Sequence, residues 1–262
     1  MPVNDDLGRR MKENYEKIPR NSLVRRMPVA LRLDGKAFHT FTKGLQKPYD
    51  TILMDCMAET TKYLCENIQG CVFGYTQSDE ITLILIDYQN LETDAWFNYE
   101  VQKMCSIAAS MATFCFNKIF SAKVEARADI FDAVDAKFDN YMYSLFKAVN
   151  KGALFDCRCF NIPKEEVANL IYWRQLDAMR NSVQMLGQAR YSHKDLQGLS
   201  CNKIKEKLRE DGDAWEDYMP HVQRGTAVIK EDKHWTIKRD MPVIKNENRK
   251  YVNDCILYKE GE

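Results

Sequence analysis

Residues 71–86 read Cys-Val-Phe-Gly-Tyr-Thr-Gln-Ser-Asp-Glu-Ile-Thr-Leu-Ile-Leu-Ile, which is a β-hairpin signal. Two apolar runs, 71–76 and 80–86, flank the short polar turn 77–79. The second run is apolar at nearly every position, as expected for a strand that is covered on both faces. The stretch therefore predicts two inner strands of a sheet, with the carboxylate of Asp79 in the turn between them.

The segments around this hairpin predict helices and strands in a defined order. Before it, an apolar run stops at the turn dipeptide Asp34-Gly35, and Asp50 stands where it could cap a helix. The order is a strand at 29–33, a helix at 50–68, the hairpin, a helix at about 95–120, a less defined helical stretch at 125–150 and a strand at 155–162. This order predicts an α+β fold, the ferredoxin-like βαββαβ antiparallel sheet of polymerase palms, with packed helices.

Both ends of the chain add further elements. Apolar residues at helical spacing predict an amphipathic helix at 5–18. After the last palm strand we expect helices at 164–188 and 194–209 and a hairpin formed by 225–229 and 234–237. This organisation predicts a palm-like catalytic domain with an N-terminal helix at 1–162 and a C-terminal helical and hairpin region at 163–262. Because no flexible linker marks the boundary, one continuous domain is the alternative.

Asp34 and Asp79 are expected to lie side by side at one sheet edge. In the ferredoxin-like order 4-1-3-2, the end of the first strand meets the turn that precedes the third. Two adjacent carboxylates repel each other unless a cation lies between them, and Mg²⁺ prefers oxygen ligands. Either aspartate alone would be an ordinary turn residue, but the pair indicates a phosphoryl-transfer site with two Mg²⁺ ions, to which the Gly35 carbonyl can add a ligand. The backbone amides of residues 36–39 follow and suit a triphosphate.

The bulk composition limits the class of protein. Lys+Arg and Asp+Glu both number 38, so the formal net charge is zero and RNA binding would depend on local basic patches. No apolar run is long enough to span a membrane, and residues 1–10 lack the apolar core of a secretory signal. The nine cysteines have no framework spacing, which indicates reduced thiols and a cytoplasmic location. Cys157 and Cys159 are too few for a structural zinc site, and we expect them to pack on their strand.

Several motifs resemble those of the tRNA(His) guanylyltransferase family. The two main ones are Arg32-Leu33-Asp34-Gly35-Lys36-Ala37-Phe38-His39 and Gly74-Tyr75-Thr76-Gln77-Ser78-Asp79-Glu80. Further matches, in order, are Lys47-Pro48 with Asp50, Phe155-Asp156 with Arg158, Trp173-Arg174-Gln175 with Asp177 and Asn181, and Arg224-Gly225-Thr226. The resemblance covers residues 25–230 and is specific because these motifs occur together.

This resemblance implies a chemistry and a set of site residues. A nucleoside triphosphate, ATP or GTP, activates the 5′ end of an RNA, and the 3′-hydroxyl of an incoming nucleotide then attacks it. Asp34, Gly35 and Asp79 would hold two Mg²⁺ ions, with Glu80 as a third, supporting catalytic acid. The nucleotide contacts that we expect are Lys36, Ala37, Phe38, His39, Lys47, Asp50, Ser78 and Lys103, and the expected RNA contacts are Arg26, Arg158, Arg174 and Asn181.

One departure from the family pattern concerns the substrate. Eukaryotic guanylyltransferases share a His-Ile-Asn-Asn-Leu-Tyr-Asn stretch after the Trp-Arg-Gln element, whereas residues 179–185 here read Met-Arg-Asn-Ser-Val-Gln-Met. Tyr99-Glu100 also replaces a double arginine before Lys103. These differences resemble the guanylyltransferase-like branch, whose members extend 5′-truncated tRNAs in the 3′-to-5′ direction by copying the opposite strand of the acceptor stem.

The sequence therefore favours template-dependent repair of the tRNA 5′ end, with the acceptor stem and nucleoside triphosphates as partners. The resemblance also implies a homotetramer. The alternatives are a tRNA(His) guanylyltransferase that adds G at position −1, a nucleotide-cyclase-like palm enzyme and an RNA-binding module without activity. The hairpin lacks the Gly-Gly-Asp/Glu-Glu-Phe turn of diguanylate cyclases, and retention of Asp34 and Asp79 argues against a module without activity.

Overall fold

The computed structural model describes residues 6–129 and 136–258, and its centre is a six-stranded antiparallel sheet. In chain order the strands are β1 (Val29–Gly35), β2 (Cys71–Gln77), β3 (Glu80–Leu85), β4 (Phe155–Asn161), β5 (Thr226–Glu231) and β6 (His234–Lys238). Across the sheet they follow the order β4-β1-β3-β2-β5-β6. The first four strands have the ferredoxin-like 4-1-3-2 order, which confirms the predicted fold class.

Helices pack on both faces of this sheet. In chain order they are α1 (Asp6–Met11), α2 (Phe38–Phe41), α3 (Thr51–Asn67), α4 (Val101–Asp129), α5 (Ala136–Lys151), α6 (Lys164–Arg190), α7 (His193–Leu196), α8 (Cys201–Glu210), α9 (Pro220–Arg224) and α10 (Lys250–Asn253). Over the described residues, no helix is both long enough and apolar enough to cross a membrane.

Two cores form because successive side chains of a strand point to opposite faces. On β1, Leu31 and Leu33 enter the core that α3 and α4 cover, with Met57 and Phe116 among its members. Ala30, which precedes Leu31 and points to the opposite face, enters the second core, which α6 covers. Residues of β1 with even numbers, including Asp34, therefore share the α6 side of the sheet.

Helix α3 begins with the cap that the sequence predicts. The carboxylate of Asp50 accepts the backbone N–H of Leu53 at 3.0 Å, which satisfies one of the unpaired donors of the first turn. It also accepts the N–H of Gln46 at 3.1 Å and the hydroxyl of Tyr141 at 2.9 Å. With 5% of its surface exposed, Asp50 holds the start of α3, the preceding loop and α5 together.

Several element boundaries differ from the predicted ones. The long helix begins at Val101 rather than near residue 95, because Phe97 and Asn98 adopt positive φ angles of 49° and 52° that interrupt a short 3₁₀ turn. The single helix predicted at 194–209 is split into α7 and α8 around Gly198, whose φ is +76°. Residues 130–135 of the predicted 125–150 stretch lie outside the described residues.

The N-terminal helix is shorter than predicted and does not join the core. It ends at Met11 and continues as one π-helical turn, Lys12–Glu16. Its apolar residues are exposed, with Leu7 at 61% and Ile18 at 73%. The amphipathic pattern is therefore real, but its apolar side has no partner within the described residues.

The C-terminal hairpin extends the palm sheet rather than forming a separate layer. Strand β5 pairs with β2 through Thr76 and Thr226. Gly225 precedes it with a φ of +85°, and a Cβ at this position would lie 2.6 Å from the carbonyl oxygen of Thr76. Only glycine fits this close approach of two backbones without strain, which explains the residue's place in the late motif.

Candidate active site

Strand pairing places Asp34 and Asp79 at the same sheet edge. Asp34 lies opposite Glu80 in the β1–β3 register, and the N–H of Gly35 donates to the carbonyl oxygen of Asp79 at 3.1 Å. The end of β1 and the β2–β3 turn are thus joined by their main chains. This juxtaposition follows from the antiparallel 4-1-3-2 order, as the sequence led us to expect.

The electrostatics of this pair suit a bound cation. Burial raises the pKa of Asp79, the hydrogen bond from the Ser78 hydroxyl at 3.0 Å opposes that rise, and the charge of Asp34 adds to it. Among the described residues, neither aspartate has a lysine or arginine within ion-pair distance. Two carboxylates left close together without a cationic partner are a suitable donor set for a hard divalent ion.

The side chains alone do not complete a metal site. Within residues 6–129 and 136–258, no group of three His, Cys, Asp or Glu side chains is arranged to hold a metal ion. A cation bound by Asp34 and Asp79 would take its other ligands from the main chain, water or substrate oxygens, which is how Mg²⁺ is commonly bound. The Gly35 carbonyl is a candidate because Gly35 follows Asp34 directly and its N–H is bonded to the main chain of Asp79.

The turn after β1 is shaped by a close packing contact. A Cβ on Gly35 would lie 2.2 Å from the Phe38 ring, so the ring fits against the turn only because the residue is glycine. Phe38 itself is a core residue, 5% exposed, whose ring lies 5.0 Å from that of Phe41 and 5.3 Å from that of Phe155. Ala37 has the left-handed φ of 54° that turns the chain. Because the Phe38 ring is buried, the residue can contact a nucleotide through its backbone amide.

A cavity of about 440 Å³ opens beside this turn. Its volume lies within the range that small-molecule ligands occupy. It adjoins a second hollow of about 90 Å³, with which it shares Asp50, Leu53, Ser78 and Met185. The residues that line the larger cavity are Gly35, Ala37, Phe38, His39, Thr42, Gln46, Pro48, Asp50, Leu53, Ser78, Asp79 and Met185.

The expected nucleotide contacts divide into two groups. Ala37, Phe38, His39, Asp50 and Ser78 line the cavity beside the two aspartates. In the other group, neither Lys36 nor Lys47 lines the cavity, although Pro48, which follows Lys47, does. The backbone N–H of Lys36 donates to the carbonyl oxygen of Leu154 at 2.8 Å and is therefore not free for a phosphate. Lys103 lies at the beginning of α4 and pairs with Glu100 at 3.4 Å.

The position of Lys103 differs from the expectation for a physical reason. At the N-terminal part of α4, Cys105 contacts Cys159, which pairs with Leu31 in the middle of β1. The part of α4 that approaches the cavity is farther along the helix, where Phe116 contacts Phe38. Lys103 is therefore more than three helical turns from the part of α4 that approaches the cavity. The structure does not bring it to Asp34 and Asp79 within one chain.

Glu80 belongs to a buried ion pair with Arg174, and this changes the role of Arg174. The Arg174 Nε donates to Glu80 Oε1 at 2.6 Å, and its Nη2 donates to Asp177 at 2.8 Å. Burial raises the pKa of Glu80, while the charges of Arg174 and then Arg32 oppose the rise. With 6% of its surface exposed, Arg174 has no free face for RNA, so the structure contradicts the RNA contact that we expected. It positions the carboxylate next to Asp34 instead.

The other expected RNA contacts have different surroundings. Arg26 is a structural residue, since its backbone N–H donates to the buried carboxylate of Asp87 at 2.8 Å and its guanidinium donates to the Asp87 carbonyl at 3.0 Å. Arg158 is 52% exposed and pairs with Arg32 in the β1–β4 register, on the side of the sheet that carries Asp34. Asn181 lines the smaller hollow. Arg158 and Asn181 thus remain available to a ligand, and Arg26, although tied to Asp87, is also exposed.

Sequence reasoning missed the exposed indole beside this site. No role at the site was expected for Trp173, and its side chain is 51% exposed. The guanidinium of Arg174 lies 4.4 Å from its ring centre and that of Arg32 lies 5.7 Å away. The helical spacing of α6 could have indicated this exposure. Val167, Ile171 and Arg174 lie on the buried face of the helix, and position 173 does not share that face.

Comparison with known proteins assigns this site to a family. Residues 8–163 match the family model described as Thg1, tRNAHis guanylyltransferase. The chain belongs to the Thg1 family. Its members in the comparison include a bacterial Thg1-like protein solved in complex with ATP, which is 38% identical with a TM-score of 0.82 over 95% of this chain and 99% of that one. The same kind of protein in complex with GTP is 35% identical, with a TM-score of 0.77 over 96% and 99% of the two chains.

More distant relatives agree with this Thg1 assignment. Uncharacterized protein R259 of Acanthamoeba polyphaga mimivirus is 28% identical over 87% of this chain and 78% of its own length. The tRNA(His) guanylyltransferase of Schizosaccharomyces pombe is 25% identical, and the alignment spans 65% of this chain and 56% of that enzyme. The tRNA(His) guanylyltransferase of Saccharomyces cerevisiae, 19% identical with a TM-score of 0.62, has the same fold. As a Thg1-family protein, the chain is a nucleotidyltransferase.

Proposed function

We propose that this protein repairs tRNA by adding nucleotides to the 5′ end of a truncated acceptor stem, in the 3′-to-5′ direction and under the control of the opposite strand. The observation that carries the proposal is a cavity lined by Gly35, the Ala37–His39 turn and Asp79, beside which strand pairing places Asp34. A carboxylate pair beside free backbone amides is an arrangement suited to phosphoryl transfer from a nucleoside triphosphate.

The chain's own groups would orient the reacting phosphates. The backbone amides of Ala37, Phe38 and His39 lie in the first turn of α2, where helix geometry leaves N–H groups without an intrahelical acceptor. They can therefore donate to phosphate oxygens. The Ser78 hydroxyl borders the same cavity and already donates to Asp79. Glu80, held by Arg174, keeps a third carboxylate fixed beside Asp34.

The reaction that these groups support has two displacements. In the first, an RNA 5′-monophosphate attacks the α-phosphate of ATP or GTP and releases pyrophosphate. In the second, the 3′-hydroxyl of the incoming nucleotide attacks the activated 5′ phosphate, and the activating group leaves. Mg²⁺ ions held by Asp34, Asp79 and the Gly35 carbonyl would neutralise phosphate charge and favour deprotonation of the attacking oxygen.

The choice of repair over addition to tRNA(His) rests on the wall of the cavity. Ser182 and Met185 depart from the eukaryotic His-Ile-Asn-Asn-Leu-Tyr-Asn pattern, and both line the smaller hollow, which adjoins the cavity that Asp79 lines. The high coverage of the bacterial Thg1-like proteins, 99% of each, supports the same branch. The second candidate, G addition at position −1, is favoured by similarity to the tRNA(His) guanylyltransferase of Schizosaccharomyces pombe.

A gel assay separates the two candidates. Purified protein with Mg²⁺ and all four nucleoside triphosphates is given a 5′-triphosphorylated tRNA that lacks its first acceptor nucleotide, or a tRNA(His) that lacks its extra G. We expect templated extension of the truncated tRNA and its loss in Asp34→Ala and Asp79→Ala. Omission of Mg²⁺, or its replacement by a chelator, should have the same effect.

The template requirement is tested by changing the base opposite the missing nucleotide. Incorporation should then switch to the complementary nucleotide. If only tRNA(His) gains a G, whatever the opposing base, the guanylyltransferase candidate is correct. If neither RNA is extended and no triphosphate is consumed, while Asp79→Ala binds tRNA as well as the unchanged protein does, a binding role replaces the catalytic one.

A further inference from the structure

Three cysteines from two separate elements meet beneath the catalytic sheet. Cys157 and Cys159 lie two residues apart on β4 and therefore point to the same side of the strand. Cys105 on α4 faces them, with its Sγ 3.6 Å from the Sγ of Cys159. The sequence shows the two strand cysteines as a pair, but only the packing of α4 on β4 adds the third thiol.

The cluster is accessible and not engaged in a disulfide. All three cysteines are free thiols of intermediate exposure, unlike the buried Cys56, Cys65 and Cys115. Metal binding does not explain the cluster, since among the described residues no three such side chains are arranged to hold a metal ion. Cys157 and Cys159 also pack against the main core, and the contact with Cys105 adds a thiol–thiol proximity that packing does not require.

The pKa values of the three thiols are shifted in different directions. Hydrogen bonding by Cys157, and to a smaller extent by Cys159, lowers the pKa of Cys105 to about 6. Cys157 and Cys159 have pKa values raised above the usual range, the first mainly by its hydrogen bond to Cys105 and the second mainly by burial. Cys105 is then the thiol of the three that loses its proton most readily. A thiolate beside a thiol is the arrangement of a peroxide-reactive pair.

We propose that the Cys105–Cys159 contact is an oxidation site, in which Cys105 reacts with a hydroperoxide and Cys159 resolves the product into a disulfide between α4 and β4. The proposal is independent of the reaction on tRNA. It assigns a covalent modification to this chain that neither the palm fold nor the aspartate pair requires.

The two steps balance as follows. The Cys105 thiolate attacks one oxygen of hydrogen peroxide, the O–O bond breaks, and hydroxide leaves and takes up a proton to become water, which gives Cys105 sulfenic acid. The Cys159 sulfur then attacks the Cys105 sulfur, the S–O bond breaks, and the oxygen leaves as a second water with the Cys159 proton. Two thiols are oxidised and one peroxide is reduced to two waters. The two sulfurs must approach from 3.6 Å to about 2.05 Å for the bond to form.

The cluster allows a direct test on the intact, full-length protein. The reduced protein is treated with hydrogen peroxide in small excess, without RNA or nucleotide, and digested with trypsin under non-reducing conditions. Cleavage after Arg158 separates Cys157 from Cys159, and Cys105 lies in the peptide 104–118. We expect a cross-link between peptide 104–118 and the peptide that begins at Cys159, with the bond at Cys105 and full reversal by dithiothreitol.

Matched variants assign the two roles. Cys105→Ser should slow oxidation at this site by at least about tenfold, because no thiolate remains there at neutral pH. Cys159→Ser should stop at the sulfenic acid, which dimedone labels at Cys105. Cys201→Ser, whose thiol lies in a different part of the fold, serves as the control and should behave like the unchanged protein.

The same measurements can overturn the proposal. A cross-link from Cys105 to Cys157 would show that the resolving thiol is wrongly assigned. No cross-link at all, or oxidation of the buried cysteines at the same rate as Cys105, would show that the cluster has no special reactivity. The peptide map of the unchanged protein decides between these outcomes even if a variant folds poorly.

Discussion

Glu80 and Arg174 illustrate how one buried charge depends on another. Both side chains are 7% exposed, and they meet at 2.6 Å next to the aspartate pair. A buried ion pair adds little net stability, yet removal of one partner leaves the other as an uncompensated charge in a poorly solvated place. The residue chosen from its motif as an RNA contact is therefore a positioning residue for the catalytic edge.

Replacement of Arg174 should destabilise the fold and the site together. We expect Arg174→Ala to lower the free energy of unfolding by about 3 kcal/mol, because the Glu80 carboxylate loses its hydrogen-bonded partner. Urea denaturation followed by circular dichroism measures this change. Arg158→Ala, on a side chain that is 52% exposed, is the matched control and should cost no more than about 0.5 kcal/mol. Equal effects of the two substitutions would contradict the assignment.

A second prediction at this scale concerns the pH dependence of thiol reactivity. The pKa of Cys105 is lowered to about 6, so its thiolate fraction rises through that pH and changes little above neutrality. Burial raises the pKa of Cys115 to about 11, so its reactivity should still be rising well above neutral pH. Both residues lie in peptide 104–118, so iodoacetamide labelling followed by mass spectrometry compares them in one sample. A common midpoint near pH 9 for both would contradict the lowered value.

At the scale of elements, α3 and its cap connect stability to the cavity. Asp50 accepts hydrogen bonds from Leu53, Gln46 and Tyr141, and it also lines the cavity wall. The sequence suggested both a helix cap and a nucleotide contact. The three hydrogen bonds account for the cap, and whether the remaining carboxylate surface also meets a nucleotide is still a prediction.

Two substitutions separate these roles of Asp50. Asp50→Ala should lower the free energy of unfolding by about 2 kcal/mol, because the cap is lost and buried donors are left unpaired. Asp50→Asn keeps an oxygen for the Leu53 N–H and should cost less than about 1 kcal/mol. If Asp50→Asn is stable yet weakens nucleotide binding more than about tenfold by calorimetry, the nucleotide contact is supported. Unchanged binding in this variant would leave Asp50 as a helix cap alone.

Elements with strong local patterns were predicted well, and those that depend on distant partners were not. The hairpin, the cap at Asp50 and the aspartate pair follow from alternation, turn chemistry and strand order. The start of α4 could not be predicted, because positive φ angles are usually signalled by glycine and the residues that adopt them here are Phe97 and Asn98. Likewise, the contact of Cys105 with Cys159 requires knowing which face of α4 lies on β4.

For the whole molecule, the continuous sheet is relevant to whether the chain divides into two domains near residue 162. Strands β5 and β6 extend the palm sheet through β2, and α6 covers the core that contains Ala30, Phe73 and Ile84. The C-terminal region thus supplies one of the two layers on the palm. We therefore propose that the chain unfolds as one cooperative unit, and the division of the chain into one or two domains stays a prediction.

A truncated chain tests this view. Residues 1–162 alone would expose the apolar side of β2 and β3 that α6 covers, so we expect no cooperative unfolding transition and strong binding of a hydrophobic dye. The full chain should unfold in one transition under the same conditions. A well-dispersed amide spectrum and a sharp urea transition for residues 1–162 would instead establish the palm as a separable domain.

The pairing of β5 with β2 also has a consequence for synthesis on the ribosome. Strand β2 is made before the partner that covers its edge, which begins at Thr226. Until that segment leaves the exit tunnel, β2 presents unpaired N–H and C=O groups that another nascent chain could join. A chaperone that shields this edge would therefore act between the synthesis of β2 and that of β5, and polysomes carrying this message would be the place to find it bound.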